Sequence, residues 1–180
     1  MQTVNPTTTQ YDSVTILSHW LMALLIGVQW IVALSIDLFP KGPLRVDARS
    51  VHIVCGLTLG VVLVAHVLWR RSYGRQLRPV GNRLTILLAT IVHWALNALT
   101  GIMVLLGITL ASARGDSLFN IYTIPSFAPD NKALAEQIAV IHGTVGVTIL
   151  ILMGFHAAAA LFHQFVWKDG VLDRMRLLRR

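Results

Sequence analysis

The sequence predicts an all-α integral membrane protein, a four-transmembrane-helix bundle. Three observations lead there. Hydrophobic residues make up 55% of the 180 residues and charged residues only 13%, whereas ordinary soluble domains run near a quarter charged. The charges leave four long stretches empty: 24 residues between Asp12 and Asp37, 20 between Arg49 and Arg70, 30 between Arg83 and Arg114, and 31 between Glu136 and Lys168. About 20 mostly apolar residues suffice for a helix to cross the hydrocarbon of a bilayer. Finally, the alternating pattern of a membrane β-barrel is absent. The mean hydropathy of +0.67 agrees. A soluble globular enzyme, a disordered tail and a disulfide scaffold are excluded.

The first helix is expected over about 14–38. The segment before it, MQTVNPTTTQYDS, has no basic residue, and the apolar run exceeds a signal h-region, so the helix is expected to remain in the protein. The second is expected over 51–70, the third over 84–111 and the fourth over 138–167. The last two gaps leave room for tilt or extension beyond the bilayer. The connection 112–137 is the longest polar segment. Pro125 and Pro129 interrupt regular structure there, and Phe119, Tyr122 and Phe127 suit a cap folded back over the bundle. No repeat, low-complexity tract or soluble domain is evident, so a single membrane domain over 1–180 is expected.

Basic residues set the orientation. Arg70, Arg71, Arg75, Arg78, Arg83, Lys168, Arg174, Arg176, Arg179 and Arg180 fall on one side; Lys41, Arg45, Arg49, Arg114 and Lys132 fall on the other. The positive-inside rule places both termini in the cytoplasm. The net charge of +7 then reads as an orientation signal with some contact to anionic membrane lipid, not as nucleic-acid binding. Cys55 stands alone, which excludes an internal disulfide, an iron–sulfur set and covalent haem attachment. The five tryptophans lie mostly toward helix ends, as in an aromatic belt.

The informative residues are seven histidines: His19, His52, His66, His93, His142, His156 and His163, all inside expected helices. Ionisable groups in a membrane are costly and usually face the bundle interior. Without intramembrane carboxylates a proton relay lacks its usual partners. The spacing of a zinc enzyme is also missing. Paired neutral imidazoles in an apolar bundle suit the iron of b-type haem. His142 and His156 are 14 residues apart, so they lie within about 40° of one helix face and about 21 Å apart along it. Two stacked haems follow, one outer and one inner. Two axial imidazoles leave no open position, which favours electron transfer over oxygen chemistry. His52 pairs with His142 by depth. For His156, the candidates His66, His19 and His93 all lie at inner depth, and spacing does not choose among them.

Several segments together resemble the bacterial cytochrome b561 family of small di-haem membrane cytochromes. They are Ser18-His19-Trp20, His52-Ile53-Val54-Cys55-Gly56, His142-Gly143-Thr144, Phe155-His156 through Phe162-His163, Trp167-Lys168-Asp169 and Leu172-Asp173-Arg174-Met175. The resemblance spans nearly the whole chain. It implies four haem ligands: His19 and His156 for the inner haem, His52 and His142 for the outer. It makes His66 a non-ligand. His93 and His163 match further family histidines on the inner side, where they serve a quinone or its protons, or hydrogen-bond to a ligand. Arg70, Arg71 and Lys168 inside, and Arg45, Arg49 and Arg114 outside, are candidates to meet haem propionates, although a solvated or lipid-facing position is the plainer reading for each.

The resemblance further implies an oxidoreductase that passes electrons through two b haems to the quinone pool, with superoxide or another small donor oxidised and ubiquinone as acceptor. His163 or His93 would supply protons. The outer side is close to neutral, because Asp37, Asp47, Asp116, Asp130 and Glu136 match its cations; only Lys41, Arg45 and Arg49 form a positive run. Two alternatives stand beside this reading. One is a di-haem subunit that anchors a periplasmic dehydrogenase or hydrogenase as redox partner. The other is a haem-free scaffold or transporter.

Overall fold

The computed structural model describes residues 10–177. Arg179 and Arg180, counted in the inner charge, and the residues before Gln10 lie outside the described residues. Four helices long and apolar enough to cross a membrane make up most of the described chain. Helix α1 runs Ser13–Ile36, α2 Pro43–Ser72, α3 Arg83–Arg114 and α4 Lys132–Phe162. Each start has a local cause. The Asp12 carboxylate accepts from Thr15 N at 3.0 Å, Asn82 from Thr85 N at 2.9 Å and Asn131 from Leu134 N at 3.0 Å. These side chains satisfy amides that the first helical turn leaves unpaired. Helix α2 instead starts with Pro43 after Gly42, where proline costs no hydrogen bond.

Helix α2 begins eight residues before position 51, and α4 begins six before 138. The charge-free gaps measure the hydrocarbon crossing alone. Polar first turns carrying Arg45, Asp47 and Arg49, or Lys132 and Glu136, continue the helices into the interface. The α3–α4 connection therefore shortens to 115–131. It holds a two-strand hairpin, β1 (Ser117–Leu118) paired antiparallel with β2 (Tyr122–Thr123). Phe119 and Asn120 take left-handed conformations in its turn.

This segment does fold back over the bundle. Ser50, 0% exposed on α2, accepts from Phe119 N at 2.8 Å. Arg49 bonds the Asp116 carboxylate at 2.8 Å, and Ser126 donates to Ala113 O.

Packing is uneven. Helix α1 lies along α2, and α3 along α4, with α2 touching α3; α4 makes little close backbone contact with α1 or α2. Small buried clusters form around Met22, Leu59 and Leu63, and around Ala113, Ala135 and Ile138. Most large apolar side chains face outward, among them Leu24, Ile31, Leu34, Val61 and Phe155. That is the surface expected when the surrounding solvent is lipid.

At the inner end, Asp12 ties three segments together. Besides Thr15, its carboxylate accepts from Trp69 Nε1 at 2.7 Å and from Arg75 N at 2.9 Å. Burial alone would raise its pKa, but the hydrogen bonds from Thr15, Arg75 and Trp69 outweigh it and hold the carboxyl well below its usual range. The tail joins the same face: Tyr11 N bonds Arg174 O, and Trp20 Nε1 bonds Met175 O.

Candidate functional site

Helix α4 carries His142 and His156 on one side, facing the space that separates it from α1 and α2. Across that space His52 on α2 faces His142, ring centres 6.2 Å apart. His19 on α1 faces His156, also at 6.2 Å. Two imidazoles sharing one metal stand about 6 Å apart, with about 2 Å for each metal–nitrogen bond and about 1 Å from each nitrogen to its ring centre. Both pairs meet that requirement. Nδ1 of His52 and of His142 is buried without a hydrogen-bond partner. Among the described residues no group of three or more His, Cys, Asp or Glu gathers in a metal-holding cluster. Two facing imidazoles with no further protein ligand would suit a metal that arrives with other donors of its own, such as the iron of a haem.

The outer pair borders a cavity of about 570 Å³, lined by residues from all four helices, including Gln29, Trp30, His52, Thr100, Gly107 and His142. Backbone approaches closely here. A Cβ on Gly107 would sit 3.3 Å from His142 Cε1, and one on Gly56 would sit 2.8 Å from Gln29 Nε2. A larger residue at Gly107 would press on His142, and one at Gly56 would displace the Gln29 amide. Arg49, Arg114 and Asp116 reach the same cavity. Trp30 lines it too, so this tryptophan belongs to the site and not to the belt.

The inner group is more crowded. His93 on α3 also meets His156, with ring centres 5.1 Å apart, about 1 Å closer than a shared iron allows. His66 is turned to Ser18, Nδ1 to Oγ 2.7 Å. The Ser18 hydroxyl also lies 2.6 Å from Val14 O. His163 stands apart and pairs with the Asp169 carboxylate, Nδ1 to Oδ2 2.6 Å. Arg70 stacks over Tyr11 and Arg71 over Trp94, while Arg45 pairs with Asp37 at 3.4 Å.

A scan against family profiles matches residues 10–176 to "Prokaryotic cytochrome b561". The chain belongs to the prokaryotic cytochrome b561 family. It is therefore a membrane electron-transfer protein of the bacterial inner membrane, multi-pass, with b-type haem as the family's cofactor. Among curated relatives, it is 28% identical over 175 residues to "Probable superoxide oxidase CybB" of Yersinia pestis, covering 95% of this chain and 98% of that one. It is 26% identical to "Cytochrome b561 homolog 1" of Escherichia coli (strain K12), covering 95% and 99%. It is 29% identical to "Cytochrome b561 homolog 2" of the same strain, covering 92% and 90%. Family membership leaves the haem-free scaffold without support.

Two side chains of this cytochrome were not singled out from sequence: Gln29 and Thr100. Gln29 had a signal, a lone amide inside an apolar helix. Thr100 had none, since such residues often bond their own helix carbonyls.

Proposed function

We propose that the whole chain, 1–180, is a single membrane domain with both termini cytoplasmic, holding two b haems. His52 and His142 hold the outer haem; His19 and His156 hold the inner. The observation that carries this is the pair of 6.2 Å imidazole separations across the gap between α4 and its neighbours. When bound, each haem supplies a one-electron iron couple. His66, whose Nδ1 contacts Ser18 Oγ, is read as a non-ligand on family likeness. His93 is a neighbour of the inner ligand His156 and not a ligand itself.

The reaction we propose is that of a superoxide:ubiquinone oxidoreductase. Two superoxide anions each give up one electron and leave as O2. One ubiquinone takes both electrons and two protons and leaves as ubiquinol. The donor class rests on the name of the 28% identical relative. Arg114 lines the outer cavity and has no carboxylate within ion-pair distance among the described residues, so it offers an anion its charge. Arg49 and Arg45 are partly neutralised by Asp116 and Asp37. On the inner side, His163 and His93 are the residues that move protons for the quinone. Anionic lipid meets the inner arginines.

The deciding experiment quantifies haem in the purified protein by its pyridine haemochrome, then follows ubiquinone reduction under a superoxide flux. Two haems per chain with ubiquinol formation are expected. One haem per chain overturns the two-site assignment. Two haems with no ubiquinol, but co-purification of a periplasmic enzyme, replaces the proposal with the dehydrogenase- or hydrogenase-anchor reading.

A further inference from the structure

We infer that Asp169 is a positioning residue for His163: it holds the imidazole Nδ1–H, so that Nε2 is the ring nitrogen left to exchange protons with a membrane-soluble quinone. The inference rests on the reading of His163 as a quinone-side residue.

The local backbone is built to make this contact. After Phe162, α4 widens into a π-turn over His163–Trp167; such turns are frequent at functional sites. Lys168 then takes a left-handed conformation, φ 54°, and Gly170 another, φ 73°. These two reversals fold the chain back, with Asp169 N bonding His163 O at 3.4 Å. The carboxylate returns onto the imidazole at 2.6 Å, and its other oxygen accepts from Val171 N at 3.2 Å. The His163 and Asp169 side chains are only 14% and 21% exposed. Trp167 stands edge-on to the His163 ring at 4.6 Å.

Among the described residues, His163 is the one histidine paired with a carboxylate. Burial pushes the Asp169 carboxyl up, but hydrogen bonds from His163 and Val171 prevail and hold it below its usual range. It is therefore ionised at neutral pH and can only accept. That sets the His163 tautomer, with Nδ1 protonated and the Nε2 lone pair free. Nε2 takes a proton from the inner aqueous side. It returns that proton to a quinone oxygen as the quinone gains an electron from the electron transfer this family performs. Over two such steps one quinone gains two electrons and two protons and departs as quinol, and His163 ends neutral, protonated at Nδ1, as it began.

The test uses the haem-loaded protein and a short-chain ubiquinone. Asp169→Asn and Asp169→Glu are compared with wild type for haem content, kcat, KM, solvent deuterium isotope effect and the 15N spectrum of labelled histidines. For Asp169→Asn the expected result is unchanged haem content and KM, a kcat lower by about 10–100-fold and a larger isotope effect. The His163 resonances should shift toward the Nε2–H tautomer. Asp169→Glu should recover part of the rate. An unshifted His163 tautomer in Asp169→Asn overturns the inference, as does a rate loss that only follows haem loss. A wild type that reduces no quinone overturns the underlying functional reading, and the 15N arm still decides what Asp169 does to His163.

Discussion

In the outer half of the bundle, His52 and His142 border a cavity of about 570 Å³ and no third histidine approaches them closely. In the inner half, His156 has two ring neighbours, His19 at 6.2 Å and His93 at 5.1 Å, and His66 hydrogen-bonds to Ser18 beside His19. The same pairing problem has one solution outside and several inside. The outer half needs only depth to match its partners. In the inner half depth leaves three candidates, and only the separations of 6.2 and 5.1 Å distinguish the neighbours of His156. The outer end is closed by a short hairpin and the Arg49–Asp116 pair. The inner end is knotted by Asp12, Trp69, Arg75 and the tail.

Ligand deletion breaks this comparison most sharply. His142→Ala removes the imidazole that faces His52. It should lose the outer haem and lower superoxide-driven quinone reduction by more than about 100-fold, beyond what changes around a ligand usually cost. The difference spectrum and haem quantification check it. Retention of both haems would show that the outer half also has a substitute ligand.

The inner half is sharpened by three variants. His19→Ala should lose the inner haem. His93→Ala should keep it, with a shifted reduction potential and at most a rate change of about 10-fold. His66→Ala should keep both haems. Potentiometric titration separates the three, and loss of a haem in His66→Ala but not in His19→Ala would reassign the inner pair.

A smaller effect is expected from filling the outer space. Gly107→Val places carbon against His142, whose Cε1 is 3.3 Å from the Cβ position. Overpacking of this kind costs about 1–3 kcal/mol. Outer-haem occupancy should fall while the inner haem stays, which haem titration of the apoprotein reads directly.

The smallest effect concerns the inner knot. Asp12→Ala removes a helix cap, typically about 1 kcal/mol, and leaves Trp69 and Arg75 without their acceptor. The Asp12 carboxyl is held below its ordinary value when folded. Its contribution is therefore complete above that ordinary value, near pH 4, and is lost as pH falls toward the folded one. The difference in thermal midpoint between wild type and variant should be largest near pH 7 and shrink below about pH 4. A difference that does not vary with pH would assign the effect to packing.

The four spans, their order and the face shared by His142 and His156 were legible in the chain. Charge-free length and helical period are local properties, so spacing alone carries them. Helix ends were less so: α2 reaches back to Pro43 because interfacial turns tolerate charge, and a charge count stops at the first arginine. His19 was favoured over His66 and His93 by family likeness, not by spacing. Only packing sets the ring separations, 6.2 Å from His156 to His19 and 5.1 Å to His93.

By itself, then, the sequence determined a four-helix membrane protein with histidines at two depths, because hydropathy and period act within each segment. Only the tertiary structure decided which histidines face one another, where the outer cavity lies, that Asp116 meets Arg49 and that Asp169 turns back onto His163. Those contacts join residues by backbone reversals and helix packing, where position along the chain does not set distance in space.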